Sequence, residues 1–263
     1  MKNDRDYAVG EFIPNSQAYP DRWAEMARAH REAEALVARA RLNTAYGSGE
    51  RELFDVFHPS GRAEGLVVFV HGGYWHLFDR SFWSHFATGP TSRGWAVAIP
   101  SYPLAPEARV FEITRAIARA IETAAKLVPG PIVLTGHSAG GHLVARMGCR
   151  DVVMETDTRE RLRRIVPISP VADLRPLLET SMNAVLQLDD AEARSESPAL
   201  HEPPTGPVTV WVGAEERPVF LDQARWLAEA WSAEHRIAPG RHHFDVIDQL
   251  CDPDSPLVAR LLG

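Results

Sequence analysis

Pro131-Ile132-Val133-Leu134-Thr135-Gly136-His137-Ser138-Ala139-Gly140-Gly141-His142-Leu143 is the stretch that decides the fold. An apolar run ends at a glycine, a serine stands between two glycines spaced two residues to either side, and a helix-forming pattern continues from Gly141 to Met147. This reads as a short buried strand, a sharp turn with serine at its tip, and a helix. The glycines have a steric reason, because a strained elbow brings the backbone against neighbouring chain where a Cβ would collide. Ser138 Oγ is then exposed at the carboxyl edge of a sheet, and the Ala139 amide opens a helix N-terminus where an anion is welcome. Ser138 is the candidate nucleophile.

Working outward, the same alternation repeats. Arg51 to His58 reads as a strand turned by Pro59-Ser60-Gly61, and Leu66-Val67-Val68-Phe69-Val70 as a central strand covered on both faces. A strand from Trp95 to Pro100, a long amphipathic helix from Val110 to Val128 and a strand at Ile165-Val166-Pro167-Ile168 follow. Val208 to Val212 is another strand, Phe220 to Ser232 a helix, and His235 to Ala238 a short strand. A closing helix, interrupted by Pro253 and Pro256, is expected from Asp245 to Leu262. Strands alternating with helices imply a mostly parallel central sheet with helices on both faces. Residues 1–50 read as an N-terminal helical arm packed on the main domain, with the helix from Asp21 to Leu42 and Trp23, Met26, Leu36 and Val37 at helical spacing. Residues 51–263 form the catalytic domain, within which 173–204 is an irregular insert holding short helices near the site.

Length and charge narrow the function. The 263 residues suffice for one α/β domain with a full core, and a net charge of −7 disfavours a nucleic-acid surface. No apolar stretch approaches the roughly 18 residues that span a bilayer. The start, Met1-Lys2-Asn3-Asp4-Arg5-Asp6, lacks the apolar run of a signal peptide. Two cysteines, Cys149 and Cys251, suggest free thiols and no metal site. The expectation is a cytoplasmic protein acting on a small molecule, without cofactor or metal and without a nucleic-acid or membrane partner, with a homodimer as the oligomer to consider.

A serine hydroxyl needs a base to take its proton. In a strand-elbow-helix architecture the base follows the last strand, and His243 is the candidate, with His242 in reserve. The acid follows the strand Val208 to Val212, where Glu216 is preferred over Glu215, and Asp173 is the fallback. Gly72 and Gly73 end a strand at the same edge, so the Gly73 and Ala139 amides are the expected oxyanion hole. His71 is expected to brace that loop. Tyr74 and Trp75 would suit a flat aromatic substrate at the rim of the site.

His71-Gly72-Gly73-Tyr74-Trp75 and Gly136-His137-Ser138-Ala139-Gly140-Gly141-His142-Leu143 together resemble the kynurenine formamidases (arylformamidases), α/β hydrolases related to esterases with an HGG motif. Ser101-Tyr102-Pro103-Leu104-Ala105-Pro106, the run from Ser169 through Pro198, and His243-Phe244-Asp245-Val246-Ile247 extend the likeness over about residues 50 to 250. The resemblance implies the α/β-hydrolase fold, Ser138 as nucleophile, His243 as base, and hydrolysis of N-formyl-L-kynurenine. It places the acid at Glu216, where the animal members usually carry aspartate before Ser-Pro-Glu-Phe; here Arg217-Pro218-Val219-Phe220 follows. The same machinery would serve small carboxylic esters, and a non-catalytic binding protein on this scaffold is the reading from another class.

Overall fold

The computed structural model describes residues 3–263. Eight strands form one sheet: β1 (Ala40–Ala45), β2 (Leu53–Phe57), β3 (Leu66–Val70), β4 (Ala96–Pro100), β5 (Ile132–His137), β6 (Leu162–Ile168), β7 (Thr209–Gly213) and β8 (Glu234–Ala238). Their spatial order is β1-β2-β4-β3-β5-β6-β7-β8. The β1–β2 and β2–β4 pairs are antiparallel, and every pair from β4 through β3 to β8 is parallel. This is an α/β-hydrolase sheet.

The unbroken apolar text of β3 has a two-sided cause. Leu66, Val68 and Val70 enter one core, whereas Val67 and Phe69 enter the core on the opposite face. β5 divides likewise, Ile132 and Leu134 to one side and Val133 to the other. The helix Val110–Leu127 covers the first face with Val110, Ile113, Ile117, Ala120, Ile121 and Ala124, all buried at helical spacing. Glu112 accepts from the Arg109 amide at 2.8 Å and so helps close the exposed first turn. Each isoleucine in this stripe contributes roughly 1.5–3 kcal/mol of burial. The second face is covered by Trp83, Phe86, Ile247, Leu250 and the closing helix Pro256–Leu262.

Two sequence expectations change. The arm helix runs Tyr19–Leu36, shorter than Asp21 to Leu42, and residues 40–45 leave it to become the edge strand β1. Its Ala-Arg-Leu-Asn-Thr-Ala text is too polar to announce a strand; antiparallel pairing with β2 supplies what side-chain pattern does not. Of the expected apolar stripe only Trp23 is buried, while Met26, Leu36 and Val37 are exposed. The closing segment is a 3-10 turn, Val246–Cys251, followed by Pro256–Leu262 as a separate helix. Residues 173–204 hold the expected short pieces, among them Arg175–Glu179, Asn183–Leu186 and Asp190–Ser195.

Candidate active site

The turn between β5 and the helix Ala139–Gly148 has the strained form expected of it. Ser138 sits at φ 56°, ψ −116°, a conformation a non-glycine residue adopts only at a cost of about 1–3 kcal/mol. The Ser138 amide donates to Ile168 O at 2.9 Å, which ties the elbow to β6. A Cβ on Gly140 would lie 1.9 Å from Val70 O, and one on Gly136 2.4 Å from Gly140 O. Both glycines are therefore fixed by backbone approach, and the Ala139 amide, at the first helical turn, has no intrahelical acceptor.

His243 and Glu216 arrive from the loops after β8 and β7. His243 Nδ1 lies 2.5 Å from Glu216 Oε2, and both side chains are buried. The other carboxylate oxygen, Glu216 Oε1, accepts from the Gly213 amide at 2.9 Å and from the Ser169 hydroxyl. Such a carboxylate fixes the imidazole with Nε2 available as base. The alternatives are engaged elsewhere. Glu215 is exposed, and Asp173 is ion-paired with Arg175 at 2.6 Å. His242 is turned to Tyr19 Oη at 3.2 Å and its Nδ1 accepts from the Phe244 amide at 3.1 Å. The ring of His137 packs 4.6 Å from that of His243. Burial, and then the neighbouring His243, hold His137 well below the usual histidine range. A neutral ring there adds no charge to oppose proton uptake by its neighbour.

The Gly72-Gly73 loop meets the elbow closely. A Cβ on Gly72 would lie 3.1 Å from Ser138 Cβ and 2.9 Å from His137 O. Gly73 has φ +109°, and a Cβ there would lie 2.5 Å from Leu77 O, so a side chain is excluded on both counts. His71 does brace the loop. It stacks on Tyr102 at 4.3 Å, its Nδ1 meets Gly72 O at 2.7 Å, and burial pushes it down to about 4.

Tyr74 and Trp75 part company. Tyr74 walls the cavity above Ser138. Trp75 does not reach it: the indole is 1% exposed, lies in the core, and donates to His142 Nδ1 at 3.2 Å. The expected aromatic rim thus loses Trp75, because its N–H finds a buried partner on the helix behind the elbow. Four other aromatics replace it, Trp23, Phe78, Trp83 and Phe244, around a cavity of about 190 Å³ that Ser138, His137 and His243 also line. Gly10, Ser16, Gln17 and Pro20 close it from the arm. The arm, expected only to pack on the domain, therefore also walls this cavity.

The chain matches a model of the alpha/beta hydrolase fold over residues 67–238. The chain belongs to the alpha/beta-hydrolase family. Within that family it is arylformamidase-like. It is 32% identical to a kynurenine formamidase of Drosophila melanogaster, over 82% of this chain and 78% of that one, and 28% identical to one of Salmo salar, over 86% and 82%. The crystal structure of a proposed thioesterase from Silicibacter sp. TM1040 is 53% identical, superposes with TM-score 0.98, and covers all of both chains.

In this alpha/beta hydrolase, sequence reasoning missed Ser169 and the aromatic wall. Ser169 follows β6 at φ 47°, and nothing in Ser-Pro signals a hydroxyl aimed at a carboxylate from another loop. Trp23 and Trp83 are ordinary core aromatics by pattern; only the fold sets them beside Ser138. Cys149, Asp151 and His201 bring ligand atoms within 4.8 Å of one another, but Arg146 already pairs with Asp151 at 2.6 Å, and a cation there would face its guanidinium.

Proposed function

We propose that this hydrolase cleaves an aryl formamide, N-formyl-L-kynurenine, to the arylamine and formate through a formyl-enzyme on Ser138. The observation that carries the reading is the small aromatic-walled cavity directly over Ser138 and His243, of a kind that admits a flat ring. The likeness to kynurenine formamidases supports it. His243 Nε2 takes the Ser138 proton as Oγ attacks the formyl carbon, and the Gly73 and Ala139 amides stabilise the oxyanion. The imidazolium, held by Glu216, then returns its proton to the departing arylamine. Water, deprotonated by the same histidine, releases formate.

The second reading is a small ester or thioester substrate, favoured by the likeness to the Silicibacter protein. The two readings share every catalytic group, so only relative kcat/KM separates them. Purified protein is to be assayed on N-formyl-L-kynurenine, short p-nitrophenyl esters and short acyl thioesters. Highest kcat/KM on the formamide supports the proposal. Preference for an ester or thioester by several orders of magnitude overturns it.

A further inference from the structure

A second, larger cavity of about 710 Å³ adjoins the one over Ser138, and Tyr74 and Leu77 line both. It lies between the arm, which contributes Arg5 and Glu11, and the insert, which contributes Ser181, with His76 on the loop between. The walls differ in chemistry. Among the described residues, the inner cavity has aromatic walls and no charged carboxylate or guanidinium, whereas the outer has both. Tyr74 is the partition. Its backbone is left-handed, φ 51°, and its hydroxyl donates to Tyr7 O at 3.0 Å, which pins the glycine loop to the arm. On the far side, Asp4 accepts from the Ser181 amide at 2.5 Å and ties the arm to the insert.

We infer that the outer cavity is the subsite for the zwitterionic amino-acid end of an α-amino-acid aryl formamide, with Arg5 taking the carboxylate and Glu11 the ammonium. This rests on the formamidase reading. With the formanilide ring inside, a charged α-amino and α-carboxylate pair cannot share the apolar chamber, because desolvating unpaired charge is strongly unfavourable. Past Tyr74 and Leu77 those groups enter the open outer cavity, walled by residues of both signs. Arg5 and Glu11 are both exposed, and neither forms an ion pair among the described residues; the Arg5 guanidinium only overlies Phe12, 5.6 Å from the ring centroid. A planar guanidinium is suited to a carboxylate in two-point contact.

The test measures kcat/KM on N-formyl-L-kynurenine and on ortho-formamidoacetophenone, which keeps the ring, ketone and formamide but lacks the amino-acid end. The wild type is expected to prefer the amino acid. Arg5→Gln and Glu11→Gln should each lower the ratio of the two kcat/KM values about tenfold, through KM, as lost charge contacts of this kind do. Cleavage of both formamides with a ratio that neither variant moves overturns the subsite and leaves the formamidase reading standing. Cleavage of neither, with short esters turned over, overturns that reading and the subsite with it.

Discussion

Glu216 Oε2 lies 2.5 Å from His243 Nδ1, while Glu216 Oε1 is held by the Gly213 amide and the Ser169 hydroxyl. Three donors from three loops fix one carboxylate, so the imidazole it faces has one orientation. A Cβ on Gly213 would lie 2.2 Å from Arg241 O, so the β7 and β8 loops that carry Glu216 and His243 are in backbone contact.

Glu216→Gln should therefore lower kcat by about 10³–10⁴ with the fold intact, because an amide can donate to Nδ1 and enforce the wrong tautomer. Glu215→Gln, one residue away and exposed, should stay within about twofold. Steady-state kinetics of the two variants check this; similar losses in both would contradict it.

The buried indole of Trp75 gives a prediction about stability. Trp75 Nε1 donates to His142 Nδ1, and His142 Nε2 meets Glu196 O at 2.6 Å, so the ring is satisfied at both nitrogens. Trp75→Phe leaves one buried nitrogen without its partner and opens a cavity, and should cost about 2–4 kcal/mol in urea unfolding. A loss under about 0.5 kcal/mol would show that the strut between the glycine loop and the nucleophile helix carries nothing.

Buried histidines set the acid response. Burial pushes His71 and His85 down to about 4 and His142 down to about 3. In the unfolded chain they would titrate near about 6.5. Below that pH the unfolded state binds protons that the folded state refuses. Their contribution to stability is thus complete above about pH 6.5 and is lost as pH falls from there towards 4. Each adds a slope of up to about 1.4 kcal/mol per pH unit. Urea midpoints at pH 7.5, 6 and 5 should fall steadily; a flat or rising series would contradict this assignment.

The parts of the fold carried by side-chain pattern were legible in the sequence. β3, β5 and the helix Val110–Leu127 follow from apolar runs and helical spacing. The positions of Ser138, His243 and Glu216 on the loops after β5, β8 and β7 follow from chain order along alternating strands; their catalytic roles are proposed. β1 was not legible, since Arg41, Asn43 and Thr44 give no strand signal without a partner strand. Nor was the direction of Trp75. Gly73, Tyr74 and Trp75 all have positive φ, and such a left-handed loop does not alternate its side chains as a strand would. The wall of the cavity escaped for a third reason: Trp23, Phe78, Trp83 and Phe244 come from the arm, the glycine loop and the histidine loop, and only tertiary packing assembles them.

The most direct measurement is kcat of Ser138→Ala on the best substrate, with urea unfolding to show that the variant is folded. A loss of about 10⁴-fold or more is expected, because nucleophile, base and acid act as one unit. A folded Ser138→Ala variant that keeps most of the wild-type kcat would contradict nucleophilic attack from this elbow.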